Sequence, residues 1–584
     1  MPCRPDRPVV AALLLAATLL FRATTAAADI EVAIEGVPEE MQANARIFLS
    51  LGRYRERDDL TQDTMDRLHD RVEREVRQAM RPFGHYQPKV TSDVTRVDER
   101  DWKVVVHIDP GPPVILRERS VEVQGPGQNE PWFRTIVASS TLREGQRLDH
   151  GAYDKLKSDL QRTAVSNGYL DAKLIRNELL VDPPNLSGTA IIAMETGKRY
   201  RFGETTIEQD AIRPELVRKF LRYRDGDYFD TVALLRTQFA LDDSQYFSVV
   251  EVIPGQRNPE TLVVPIAIRA QAARRDRYSF GVGYGTDTRW RGTVTWDMSR
   301  VNDRGHRARI EVVAANLETR FETRYLIPVG DPALEKVSID GTWSNETLAD
   351  LEVTSTELRA GLTQVQGRWQ RVLFASVSEE TTESTLEKRT DQLLVPGISY
   401  SLLPANFQGE SLTFSRGLFA ELVGSHSAFG SDADFLRLRL RDEHVFDLTQ
   451  KWHLLLRAEI GLSMVADFSE LPGSYRFFAG GDQSVRGFGL NELSPLDANG
   501  EKVGGRHLVI GSVEVIRDLP RNFGVALFVD AGNAMDKLGD PLEYSVGVGL
   551  RWKLPVVTLG IDVAQAISEG GHNPRFHLNI SPVL

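Results

Sequence analysis

From residue 276 to its end the chain repeats apolar and polar residues with a period of two. Tyr278, Phe280, Val282 and Tyr284 alternate with Ser279, Gly281, Gly283 and Gly285, and Leu436, Leu438 and Leu440 alternate with three arginines. Tyr544, Val546, Val548, Leu550 and Trp552 repeat the pattern, as do Phe576, Leu578 and Ile580. Period two sends alternate side chains to opposite faces of a strand. A water-soluble sandwich also alternates, with its polar face in bulk water and its apolar face on a second sheet. Here the strands are long, aromatic residues gather near their ends, and about sixteen runs fill the segment, the pattern of a transmembrane barrel. In lipid a sheet has to close on itself, because an open edge leaves amide groups unpaired at several kcal/mol each. Residues 276–584 are therefore expected to form a 16-stranded antiparallel transmembrane β-barrel.

The start of the chain agrees with export. Arg4 and Arg7 precede an apolar run over residues 9–21, and Ala26, Ala27 and Ala28 supply small residues for cleavage before Asp29. That run is the one long apolar stretch and is too short to span a bilayer as a helix. Cleavage of residues 1–28 as a signal peptide removes Cys3, the single cysteine, leaving a thiol-free chain suited to an oxidising compartment. The formal net charge of −12 excludes a nucleic-acid binder whose affinity rests on a basic surface.

Between these segments the periodicity is helical. Met65, Leu68, Val72, Val76 and Met80 form one apolar stripe, and Tyr153, Leu156, Leu160 and Ala164 a second. Val232, Leu235 and Phe239 begin a third, and each stripe is expected to face a core. Each helix is followed by a turn (residues 84–86, 168–170 and 245–247) and then by an extended run (103–108, 188–194 and 262–268). Asp149 and Asp230 stand where a side chain can cap a helix. This recurrence signals three strand–helix–helix–strand–strand units, at 29–112, 113–198 and 199–270.

One stretch of the barrel segment, 464–505, lacks the alternation, and loops of that length are usually functional. Its aromatic and glycine residues suit a packed loop folded into the lumen. Arg486 would then need a carboxylate, since an unpaired desolvated guanidinium is costly. Inward-facing Asp530 and Glu514 are the candidates.

Val485, Arg486, Gly487 and Phe488 resemble the lumen-loop signature of the outer-membrane assembly superfamily that includes BamA and the two-partner secretion transporters. Residues 528–532, Phe-Val-Asp-Ala-Gly, are similar to the family's arginine-accepting strand, and the repeated units resemble POTRA domains. Three units, the first strand over 277–288 and the turn at 243–248 resemble the TamA branch of that superfamily. The resemblance implies α+β POTRA repeats in the periplasm, a barrel in the bacterial outer membrane, and assembly or secretion of client outer-membrane proteins such as autotransporters. It also implies a TamB-like inner-membrane-anchored partner docking on the POTRA domains, contact with outer-membrane lipids, and no chemical step, cofactor or metal.

The route expected for such work is a weak seam between the first and last strands. Tyr278, Phe280, Gly281 and Gly283 lie on one side, and Phe576, Leu578 and Ile580 on the other. The glycines lose the most entropy on ordering, and Pro574 and Pro582 flank the last strand with no amide to donate. Such a seam can part and template a client strand by β-augmentation. The alternatives are a passive two-partner-type secretion pore, a lipid-transfer conduit between the inner and outer membranes, or a lipid hydrolase using Ser545 and His577, for which no triad spacing exists.

Overall fold

The computed structural model describes residues 30–54, 60–98, 101–386, 388–403, 417–554, 557–568 and 573–582. The expected signal peptide and Cys3 lie outside them. The first repeat runs β1 (Ile30–Glu35), α1 (Glu39–Phe48), α2 (Gln62–Met80), β2 (Lys89–Arg96) and β3 (Trp102–Asp109), with sheet order β1-β3-β2. Thr61 starts α2 by accepting a hydrogen bond from the Thr64 amide at 3.3 Å. The stripe Met65, Leu68, Val72, Val76 and Met80 is buried and joins Val104, Val106 and Ile108 of the central strand in one core. Burying each of these side chains contributes about 1.5–3 kcal/mol before the entropy of ordering is subtracted.

The second repeat copies the first with β4 (Ile115–Gln124), α3 (Pro131–Ser139), α4 (His150–Ser166), β5 (Lys173–Asp182) and β6 (Ser187–Glu195), ordered β4-β6-β5. Asp149 caps α4 by accepting from the Ala152 amide at 3.1 Å. The third has β7 (Arg201–Glu208), α5 (Pro214–Arg218), α6 (Thr231–Asp242), β8 (Phe247–Pro254) and β9 (Val263–Ala272), ordered β7-β9-β8. Its helical stripe departs from expectation: Val232, Leu235 and Phe239 are exposed, and Leu234, Thr237, Ala240 and Leu241 are buried instead. Helix α6 is apolar on both faces, so spacing alone cannot say which one packs. Thr237 decides it, accepting from the Arg222 amide at 2.8 Å and donating to the Ala233 carbonyl at 2.9 Å.

This third repeat forms one compact unit with the barrel, apart from a few of its residues. Tyr246 donates to the Gly305 carbonyl at 2.6 Å, Arg213 pairs with Asp303 at 2.7 Å, and Arg222 with Asp331. The barrel is a single 16-stranded antiparallel sheet from β10 (Asp276–Gly285) to β25 (Arg575–Pro582), each strand paired with its sequence neighbour. Among the described residues no ladder joins β10 to β25. The expected first and last strands thus meet at a seam without a ladder among the described residues. Leu578 donates its amide to Thr286 Oγ1 at 3.3 Å. That contact puts Leu578 beside Thr286.

In the first repeat His85 is buried, and its Nδ1 proton is shared by the carbonyls of Pro110 and Gly111 at 3.1 and 3.0 Å. Burial lowers its pKa, against the raising effect of those carbonyls, and Arg147 lowers it further. An unfolded His titrates near ~6.5, so below that pH the unfolded state binds more protons. Stability from the neutral ring is full above about pH 6.5 and falls as pH drops toward the folded value. Amide-exchange protection of residues 30–110, corrected for intrinsic rates, should therefore fall between pH 7 and 5, and His85→Gln should flatten that dependence.

Candidate functional site

The long loop lies between β20 (Trp452–Val465) and β21 (His507–Leu519). It is ordered by antiparallel bridges Phe477–Gly505, Ala479–Leu493 and Leu496–Lys502. Val485 and Phe488 are fully buried with Ile510, Ala534 and Ala566 of the barrel wall. Between them Gly487 takes φ +93°, and a Cβ there would meet the Ala566 amide at 3.0 Å and Ser545 Cβ at 3.3 Å. Only glycine fits that bend at that distance.

Arg486 is 3% exposed. Its Nε and Nη2 donate to the two oxygens of Asp530 at 2.8 and 2.9 Å, and its backbone amide adds a third bond to Asp530 at 3.1 Å. Nη1 donates to Glu514 at 2.7 Å and reaches Asp562 at 3.4 Å. Ser512 lies 3.3 Å from Nη2, and the Phe528 ring stacks 3.3 Å from the guanidinium carbon. Strand alternation assembles these groups. On β22 (Phe523–Met535) Phe528 and Asp530 are buried while Leu527 and Val529 are exposed, and on β21 Ser512 and Glu514 face in while Val513 faces out.

Sequence reasoning named Asp530 and Glu514 and missed Asp562 of β24 (Val557–Ala566) and Arg551 of β23 (Glu543–Lys553). Arg551 bonds Glu514 at 2.7 Å and also Asp562, so the carboxylates are shared between two guanidinium groups. Each stands on the polar face of an alternating strand, and that parity was the available signal. With Arg457 nearby, donating to the Ser484 carbonyl at 3.3 Å, three cations face three anions. The hydrogen bonds among Arg486, Arg551, Asp530, Glu514 and Asp562 hold these groups in one geometry.

A second cluster joins Asp287, Asp482 and His577, whose ligand atoms lie within 4.8 Å of one another and could in outline hold a metal. His577 Nε2 accepts the Gly487 amide at 3.0 Å, so the ring proton sits on Nδ1 and points at Asp482. A metal on Nδ1 would move that proton to Nε2, against the Gly487 N–H, so the donor set fits a proton better than a cation. Ser545 is fully buried with its hydroxyl unpartnered among the described residues, and Nε2 of His577 is engaged by Gly487. The arrangement a serine hydrolase needs is not assembled.

The expected seam residues sit on two facing edges that no ladder joins among the described residues. Tyr278, Phe280 and Phe576 are 60%, 78% and 69% exposed, as suits lipid-facing positions. Gly281 and Gly283 lie within β10, and Leu578 and Ile580 within β25, where Ile580 pairs with Leu559. The side chain of Ile580 is outside the described residues. Beside Gln245 of the third repeat, Arg277, Asp297, Arg309, Glu311 and Arg324 help line a cavity of about 870 Å³.

The Omp85 superfamily domain matches residues 272–582, and the model for "POTRA domain TamA domain 1" matches residues 31–110. The chain belongs to the Omp85 superfamily: a bacterial outer-membrane β-barrel carrying periplasmic POTRA domains. It is 22% identical over 393 residues to the outer membrane protein assembly factor BamA of Nitratidesulfovibrio vulgaris, covering 63% of this chain and 49% of that one. Against BamA of Neisseria meningitidis serogroup B it is 21% identical over 494 residues, 78% of this chain and 61% of that one. The chain thus spans about half to three-fifths of these curated relatives. BamA from Haemophilus ducreyi lacking POTRA domains 1–3 superposes with a TM-score of 0.64 at 15% identity, over 80% of this chain and all of that one.

Removing this buried guanidinium strands Asp530 in the wall, while Glu514 and Asp562 keep only Arg551. Arg486→Ala should cost roughly 3–5 kcal/mol of barrel stability. A lowered heat-modifiability midpoint on gels checks this, with amide-exchange protection of residues 30–200 unchanged. Arg486→Lys keeps the charge but not the fork, and should recover only part of the loss.

Proposed function

We propose that this protein inserts or translocates other outer-membrane proteins, as a TamA-like member of the Omp85 superfamily. The carrying observation is the gap between β10 and β25: two strand edges in one barrel with no ladder between them among the described residues. An unpaired edge in lipid is a template, and a client strand that pairs with it gains hydrogen bonds that nothing else in the bilayer supplies. Arg486, held by Asp530 and Glu514, keeps the loop carrying Val485, Gly487 and Phe488 seated in the lumen, while the β10 and β25 edges receive the client. The BamA relatives, named as assembly factors, support this reading. The match of residues 31–110 to the first POTRA domain of TamA supports docking of a TamB-like partner on the periplasmic units.

The cavity of about 870 Å³ favours a second reading, a conduit for secreted protein or lipid. Large steady conductance in planar bilayers would favour that reading, since a loop-plugged insertase conducts poorly.

Bridging the seam separates the two. Continued antiparallel from the Leu578–Thr286 contact, the two edges would bring Tyr284 opposite Ile580. In a Cys3→Ser background, Tyr284→Cys and Ile580→Cys joined by a short bis-maleimide should abolish insertion of a client barrel into proteoliposomes. The unjoined double variant should retain it. Equal insertion by the bridged protein removes lateral opening from the mechanism.

A further inference from the structure

The two edges of the gap are not free of each other, because the lumen loop touches both. From the β10 side comes Asp287, in the turn after Gly285, and its Oδ2 accepts the Asp482 backbone amide at 2.9 Å. Gly481 permits that approach: its φ is +98°, and a Cβ there would lie 2.9 Å from the same Asp287 oxygen. From the β25 side comes His577, 1% exposed, donating from Nδ1 to the Asp482 carboxylate and accepting the Gly487 amide on Nε2. Arg575, two residues earlier, pairs with Glu492 of the loop at 3.1 Å. The hydrogen bond from Leu578 N–H to Thr286 Oγ1 joins the two sides directly, and it lies at this same end. β10 begins four residues after the third repeat ends, so its far end is the outer rim of the barrel, remote from the periplasm.

We propose that Asp482, with Asp287 and His577, forms a clasp that fastens the outer end of the seam through the lumen loop, so that the gap opens from its periplasmic end. The three are positioning residues for strand exchange. His577 serves both sides of the connection, since its ring is anchored to Gly487, next to Arg486, and its proton is given to Asp482. Arg486 fixes the loop to β21, β22 and β24; the clasp carries that fixed point to the two working edges. A client strand entering from the periplasm would meet open edges first and the clasp last. Releasing the clasp would then be the step that lets the rims separate.

The clasp rests on the seam being the working edge, but its test needs no client, so it can fail while insertion stands, or the reverse. Nitroxides on Thr288→Cys and Asn573→Cys, exposed positions on either side of the rim, report rim separation by pulsed electron resonance in phospholipid nanodiscs. The Cys3→Ser parent should give one narrow distance. Asp482→Ala and His577→Ala should each raise the ratio of wide to narrow populations roughly ten-fold or more, the scale of one lost charge-assisted hydrogen bond. Asp482→Asn, which still offers an oxygen to the Nδ1 proton, should recover most of the narrow population, whereas Asp482→Leu, of similar size but without an acceptor, should not. Asp287→Ala, altered in a turn outside the barrel wall, should widen the rim if the two other variants fold poorly. Unchanged distances in heat-modifiable Asp482→Ala and Asp287→Ala overturn the clasp. Widening of the parent by a chelator alone also overturns it, by making the cluster a cation site.

Discussion

A guanidinium shut away from water inside a barrel is tolerable only where carboxylates meet it on every side, and Arg486 satisfies that condition with Asp530, Glu514 and Asp562. The arginine stands on a loop and its partners on β21, β22 and β24, so the pairing makes the loop part of the wall. Arg551 binds two of the same carboxylates, and Arg457 adds a third positive charge beside them. Desolvation would otherwise expel so many charges. Balanced and bonded, they resist rearrangement, because moving any one leaves another unpaired.

That fixed loop changes what the barrel can leave undone. A closed transmembrane sheet satisfies its backbone by pairing its last strand with its first. Here the ladder stops at both edges, and the contacts at the outer rim are made by side chains and by the loop instead. Side-chain contacts of this kind are few and local, so they can break without unravelling the strands between β10 and β25. The third POTRA repeat joins the same compact unit through Tyr246, Arg213 and Arg222 at the turns carrying Gly305, Asp303 and Asp331. Two positions are thereby held relative to the wall, the periplasmic rim by the repeat and the lumen by the loop, while the edges between them stay unpaired.

Much of the architecture was legible because two periods differ so plainly. Tyr278 to Tyr284 repeats at two and Met65 to Met80 at 3.6, and each marks a face that the fold uses. Val232, Leu235 and Phe239 show where that legibility stops. Helix α6 has apolar residues all round, and its orientation was decided by the Arg222 amide meeting Thr237, a contact between residues fifteen apart. The chemistry of Arg486 was legible in the same limited way: its need for a carboxylate follows from its charge, and Asp530 and Glu514 stand on the inward parity. Asp562 and Arg551 share that parity but lie on strands β24 and β23, and adjacency to the loop depends on how far the barrel curls.

The order of residues alone therefore determined the element types, the three-fold repeat, the strand count and the demand for a buried acid, because these depend on local sterics, periodicity and charge. Which acids answer Arg486, which face of α6 is covered, and that β10 and β25 meet without a ladder were decided by the tertiary structure. Each of those depends on distances between segments far apart in the chain, up to the 292 positions that separate Thr286 from Leu578. A one-dimensional pattern carries no measure of such distances until the sheet has twisted and curled to bring its ends within reach.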